Sequence, residues 1–387
     1  MIRQLRIDKI LLQRAKLKLP RGTYDLFYAE REDSRRLAMV IVGAAWIPTA
    51  FFAAINGWSS LWGFLGDFAA QSRLLFVIPL LIIAEPWMLR QWSQIAAQFV
   101  EANLVGKEDI PRFQDAFALF DRRRHYMITQ VFIVLVIYAL ALAMIPYLRN
   151  AVLPPWCSGT QVLGRLSLPG ACYLLVSLPF LCYLVFRWLW NLALWSVFLH
   201  RVSRMRLLLI PAHPDLMGGL SFLEASLRSY RPFGLALGTI VAGGVANKIV
   251  HTKQNIATFK STAVFVTGLV VLICAGPLCT FYRALLDAKK RGTFLYGAFA
   301  IALGQQFEVK WLGANTQADK ETLEAPDFSA TIDLFSVVGN VRLIKLVPFG
   351  VQSIVPLVAV TLVPALPLAL AIIPFDVLLE KALKLLL

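Results

Sequence analysis

The apolar residues of this chain are gathered into blocks of about 17–25 residues, and that block length limits the fold more than any other feature. At about 1.5 Å per helical residue, such a block crosses the roughly 30 Å hydrocarbon core of a bilayer. The blocks do not alternate apolar and polar residues, which excludes a transmembrane β-barrel. Seven can be placed: Leu37–Gly57, Leu74–Met88, Met127–Tyr147, Ala171–Trp195, Gly234–Val250, Ser261–Tyr282 and Val351–Phe375. The chain is 58% hydrophobic and 16% charged, against about 45–50% and 25% for soluble domains. The expected fold is all-α: a polytopic transmembrane bundle of about seven spans, with amphipathic helices extending from the membrane on one side.

The segments between the blocks divide sharply by charge. Residues 1–37, 89–126, 198–233 and 283–350 hold 29 of the 38 Lys and Arg; residues 58–73, 148–169, 251–260 and 376–387 hold 7. Cytoplasmic loops collect Lys and Arg, so the asymmetry puts the N-terminus in the cytoplasm, with seven crossings leaving the C-terminus outside. The same rule accounts for the net charge of +15 without a specific nucleic-acid partner. The first 36 residues carry ten Lys or Arg and no apolar core, so the first span is expected to serve as an uncleaved anchor.

The resulting plan is a basic segment at 1–36, spans 1 and 2 at 37–88, amphipathic helices at 89–126, and spans 3 and 4 at 127–197. A connector at 198–233 leads to spans 5 and 6 at 234–282, a helical segment at 283–350, and a proline-broken span 7 with a cap at 351–387. Residues 1–19 interleave Ile2, Leu5 and Leu12 with Arg3, Arg6, Lys9 and Arg14, a pattern that suits a surface helix on anionic lipids or a basic tail. Asp109-Ile110-Pro111 reads as a helix start, with Phe113, Phe117 and Phe120 on one face. Helices are also expected over about Leu285–Trp311 and Asp327–Val341, with Thr293–Leu303 buried. Gly234, Gly238, Ala242 and Ala246 form a small-residue stripe that allows close helix approach. Span 4 is expected to run without a break through His200 to Arg206 and end at Pro211. No internal repeat is legible.

Charges inside spans are costly and pair or line wet cavities. Glu85 lies about 16 Å below the outer end of span 2, and Arg187 about 24 Å below that of span 4. They are expected to face the bundle interior and interact, against snorkelling for Arg187 and a protonated or turn-capping role for Glu85. Asn191, one turn after Arg187, extends the stripe toward an anion or lipid headgroup, or bonds a neighbouring helix. Asn247, Lys248 and His251 form either the mouth of an anion pathway or an interfacial flank. His213-Pro214-Asp215 reads as a turn, with a weak metal alternative. Cys157 and Cys172 fall on the outer side and are candidates for a disulfide. No cofactor or metal motif is present.

His213-Pro-Asp-Leu-Met-Gly-Gly-Leu, Gly276-Pro277-Leu278 and Val347-Pro-Phe resemble an uncharacterised group of bacterial polytopic inner-membrane proteins, over residues from about 170 onward. The resemblance implies helical architecture and inner-membrane placement, and no activity. Two function classes stay open. One is a channel or transporter for a small ion, an anion among the options, acting as a homo-oligomer. The other is a signalling, effector or accessory-subunit protein acting through its cytoplasmic helices. An enzyme is third, because no nucleophile–base pair can be named.

Overall fold

A computed structural model describes residues 21–148, 153–159, 166–252, 259–311 and 326–368. The helices are α1 (Arg21–Ile55), α2 (Trp58–Leu65), α3 (Phe68–Glu101), α4 (Ile110–Arg124), α5 (Met127–Leu148) and α6 (Leu168–Ser203). They continue with α7 (Glu224–Ser229), α8 (Arg231–Thr252), α9 (Lys260–Ala275), α10 (Tyr282–Trp311), α11 (Pro326–Arg342) and α12 (Val351–Leu362). Among the described residues, seven helical stretches are long and apolar enough to cross a membrane. The protein is an all-α bundle with the pattern of a multi-pass membrane protein. The surface-helix reading of residues 1–19, the end of span 7 beyond Leu368 and the C-terminal cap lie outside the described residues.

The centre of the bundle is α3 beside α6, running in the same direction. The two share a local design that was not legible as a repeat. Each opens on a capped turn: Asp67 accepts from the Ala70 N–H and Ser167 from the Gly170 N–H. Each then passes through a π-helical turn, Ser72–Val77 or Tyr173–Ser177, directly before Pro79 or Pro179. Proline lacks an N–H and its ring crowds the carbonyl four residues back. A π turn inserts one residue into the ladder and moves that carbonyl away. The N–H of Ile78 accordingly reaches Arg73 O, and that of Leu178 reaches Tyr173 O. The side chains of these two acceptor residues then meet, Arg73 Nη1 donating to Tyr173 Oη at 3.2 Å. At the other end of the pair Trp92 stacks on Trp195, centroids 4.9 Å apart and planes 8° apart.

Below that stack lies an aromatic floor. Phe113, Phe117 and Phe120, the apolar face of α4, are buried, and all three make ring contacts with Phe198 of α6. The amphipathic helix therefore packs on another helix. Asp109 begins it and also binds the returning chain, accepting the Arg206 N–H at 2.9 Å. This contact marks a correction. The span-4 rod stops at Ser203, with Arg204 as its cap, because residues 205–208 turn back along 104–106 through Val105↔Leu207 and Leu208 N to Leu104 O.

The small-residue stripe of α8 faces α12. A side chain at Gly234 would meet the Thr361 hydroxyl, and one at Gly238 the Thr361 backbone carbonyl. On another face of the same helix, Gly243 lies against Ser72 and the Phe68 carbonyl of α3. The helix is thus wedged between two neighbours whose approach only glycine permits.

The basic end carries the second correction. Thr293–Leu303 was expected to be buried, yet Phe294 is 78% exposed and Leu295, Phe299 and Ile301 are also exposed. They belong to α10, about 45 Å long at 30 residues and 1.5 Å per residue, which packs on α11. Gly292, about a third of the way along it, is clasped by Pro211 and Val341. Beyond that point the pair of helices presents an open apolar flank.

Candidate functional site

Glu85 and Arg187 meet. Arg187 Nε donates to Glu85 Oε1 at 2.9 Å, and Asn191 Nδ2 donates to the same oxygen at 3.0 Å. Counting from Leu74 and Ala171 had set the two charges about 8 Å apart in depth. The helices in fact begin at Phe68 and Leu168, which places Glu85 about 26 Å and Arg187 about 29 Å down. The helical residues above Leu74 extend span 2 further than those above Ala171 extend span 4, which brings the two charges nearly level.

The carboxylate side chain is 9% exposed and Arg187 is 40% exposed. Glu85, itself held by Asn191, therefore anchors the guanidinium at Nε, and the rest of Arg187 is left partly exposed. Trp188 fixes the same stretch by donating to Leu81 O at 3.1 Å, next to the Ile82 carbonyl that Pro86 deprives of its helical donor. Tyr183 hydrogen-bonds Arg187 and donates to Gln130 Oε1 at 2.8 Å. Gln130 in turn donates to Arg124 O. One polar chain thus links α3, α6 and α5 to the α4–α5 turn.

This chain borders a cleft of about 520 Å³ between α1, α3, α6 and that turn. Among the described residues, Arg36, Arg124, His125 and Arg187 line it against one carboxylate, Glu85, and Leu37, Val40, Ile41, Ile82, Phe180 and Leu184 supply apolar walls. Arg124 also lies 3.6 Å from Asp121. Sequence reasoning missed Tyr183, Gln130, Arg36 and the Arg124–His125 turn. Tyr183 carried a signal, since it precedes Arg187 by one helical turn and shares its face; Arg36 and His125 reach the cleft only through the tertiary fold.

The other candidates lie elsewhere. Asn247 and Lys248 belong to the far end of α8, past Gly243 and its contact with the start of α3. Lys248 sits over the Phe259 ring at 5.5 Å, and the Asn247 carbonyl oxygen is buried without a hydrogen bond. The side chain of His251 lies outside the described residues. His213 and Asp215 stand together in a turn at the basic end. His213 Nδ1 is 2.8 Å from Asp215 Oδ1, and the carboxylate accepts the N–H groups of Met217, Gly219 and Ser221 at 2.8–3.1 Å. Leu216 at φ 56°, Gly218 at 65° and Gly219 at 95° bend the backbone around it. Among the described residues, no three His, Cys, Asp or Glu side chains gather as a metal would need.

Partial burial raises the pKa of Asp215, but the three N–H donors and His213 outweigh it and hold the carboxyl below its ordinary 3.8. A depressed acid contributes stability that is complete above its unfolded pKa and is lost as pH falls through the folded value. Thermal unfolding compared between pH 6 and pH 3 should therefore lose a component below about pH 3.8 that Asp215→Asn lacks. Equal acid sensitivity in the two proteins would show that the turn does not depend on this charge.

Cys157 and Cys172 are free thiols, not the expected bridge. Their sulfurs have separate neighbours: that of Cys157 lies over Gly170, and that of Cys172 accepts from Thr49 Oγ1 at 3.7 Å. Burial, helped by nearby Asp67, pushes the Cys157 thiol up to about 11, so it stays protonated and unreactive near neutrality. Asp67 itself is held by Trp156 Nε1 at 3.0 Å.

Comparison with known proteins returns no matching family model, curated sequence or solved structure.

Proposed function

We propose that this protein is a membrane transporter or channel that takes an anion into the Glu85–Arg187 cleft from the side carrying most of the Lys and Arg, the cytoplasm. The observation that carries this reading is the half-open Arg187. Its Nε is tied to a buried carboxylate, yet the side chain is 40% exposed and lines a 520 Å³ cleft. Charges inside spans pair or line wet cavities, and Arg187 does both. The test is anion flux into vesicles holding the full-length protein. We expect Arg187→Gln to lower flux at least tenfold, as loss of one charge-assisted contact would, with partial recovery in Arg187→Lys. Unchanged flux in Arg187→Gln would overturn the reading.

The open flank of α10 supports the homo-oligomer. Its exposed Phe294, Leu295 and Phe299 make an apolar stripe of the sort that marks an interface. Phe294→Asp with Phe299→Asp should shift the detergent-solubilised protein to monomer in light scattering. An unshifted mass would rule out this flank as the contact. The same flank favours the second reading, an effector acting through the basic-end helices. Retained membrane integrity, absent flux and loss of a bound partner on the same double substitution would decide for it.

A further inference from the structure

We infer that the anion for which this cleft is built is amphiphilic: a phospholipid whose phosphate lies among Arg36, Arg187 and the Arg124–His125 turn, with an acyl chain along the α1 wall. The inference rests on the cleft being the anion's way into the protein, and names the substrate class.

Three observations carry it. First, the walls are of two chemistries. Leu37, Val40, Ile41, Ile82, Phe180 and Leu184 offer no donors. A small hydrated anion would face them with its oxygens unsatisfied, which is costly in an apolar setting. A phospholipid satisfies both parts, placing its phosphate on the arginines and its chain on the aliphatic wall. Second, the cleft is continuous with the flank of α1 that a bilayer would cover. Val40 is 67% exposed and Leu37 is also exposed, so the wall runs out onto the surface of the helix with no polar rim between. A lipid can slide in sideways without leaving the leaflet.

Third, the charges are distributed for a headgroup. Arg187 is balanced by Glu85, and Arg124 is partly balanced by Asp121. Arg36, exposed on α1, gives the described lining residues a positive excess near the turn where α5 begins. That turn directly precedes the apolar run Met127–Tyr147, the level at which a phosphate sits in a leaflet. Arg187 is the next donor inward, and arginine offers the forked geometry that phosphate oxygens fit.

The experiment uses the full-length protein in phosphatidylcholine vesicles, with spin-labelled phosphatidate or spin-labelled phosphatidylcholine as the probe. The motion-restricted fraction in the electron paramagnetic resonance spectrum reads relative affinity. We expect phosphatidate to be preferred about tenfold, the size of one charge-assisted contact. Arg36→Gln and Arg187→Gln should each bring that preference close to parity, and millimolar inorganic phosphate should leave it unchanged. Arg36 is exposed, so its substitution leaves the buried network folded. Displacement of phosphatidate by inorganic phosphate would show a small-anion site, overturning the lipid inference while the transport reading stands. Equal restriction of the two lipids in the wild type would overturn it as well. An arginine-dependent preference in vesicles that carry no flux would uphold the lipid site and remove the transport reading.

Discussion

Arg187→Leu should destabilise the folded protein by about 3 kcal/mol, while the double substitution Glu85→Leu/Arg187→Leu should return to within about 1 kcal/mol of wild type. Removing one member of a buried ion pair strands the other, at a cost of about 3–5 kcal/mol; replacing both with apolar groups is often neutral. The lower end of that range fits because Arg187 is 40% exposed and contributes less than a fully enclosed partner would. The effect should also be asymmetric. Without Arg187, the Glu85 carboxylate stays 9% exposed with Asn191 as its remaining donor at 3.0 Å. Without Glu85, Arg187 can still turn into the cleft and find water. Glu85→Leu alone should therefore cost less than Arg187→Leu. Thermal unfolding in detergent measures all three. If the double substitution is as unstable as Arg187→Leu, the pair is not a coupled unit. A double variant that regains stability but has lost flux would separate the architectural role of the pair from its role in binding.

Gly238→Val should have an effect of similar size through a different cause. A Cβ at Gly238 would occupy the space of the Thr361 carbonyl oxygen in α12. The obstacle is backbone, so the helices themselves must separate. Overpacking costs about 1–3 kcal/mol where side chains can adjust, and about 3 kcal/mol or more is expected here. Gly244 is the control: nothing lies within 4 Å of a Cβ built there. Gly244→Ala should be neutral or stabilising by up to about 1 kcal/mol through helix propensity. Size-exclusion profiles and thermal unfolding distinguish the two. A folded, wild-type-like Gly238→Val would mean that α8 and α12 are not in close contact, and with it the argument from the small-residue stripe would fall.

The charged pair was legible because a carboxylate and a guanidinium inside apolar runs have few stable alternatives to meeting each other. Their contact was misjudged in depth because composition locates the apolar part of a helix, whereas capping and π turns decide where it begins. Pro79 and Pro179 each lie inside an apolar run. That each is absorbed by a π turn, leaving α3 and α6 continuous, depends on how the ladder rearranges around a missing N–H. The phenylalanine face of α4 was legible from its spacing, but not its partner Phe198, since spacing gives a face and not what covers it. The cysteines show the same limit: both lie near the same end of the bundle, yet their sulfurs have different neighbours.

The sequence by itself determined the number of apolar helices, the division of charge between alternate connecting segments, the small-residue stripe and the two charges most costly to leave unpaired. These follow from hydrophobic length, loop composition and the desolvation of single residues, which act locally along the chain. Tertiary structure alone decided that Glu85 and Arg187 lie at one level, that Arg36 and the Arg124–His125 turn close a cleft around Arg187, and that α10 leaves an apolar flank uncovered. Those outcomes depend on the relative heights and angles of helices far apart in sequence, which are set by packing between them.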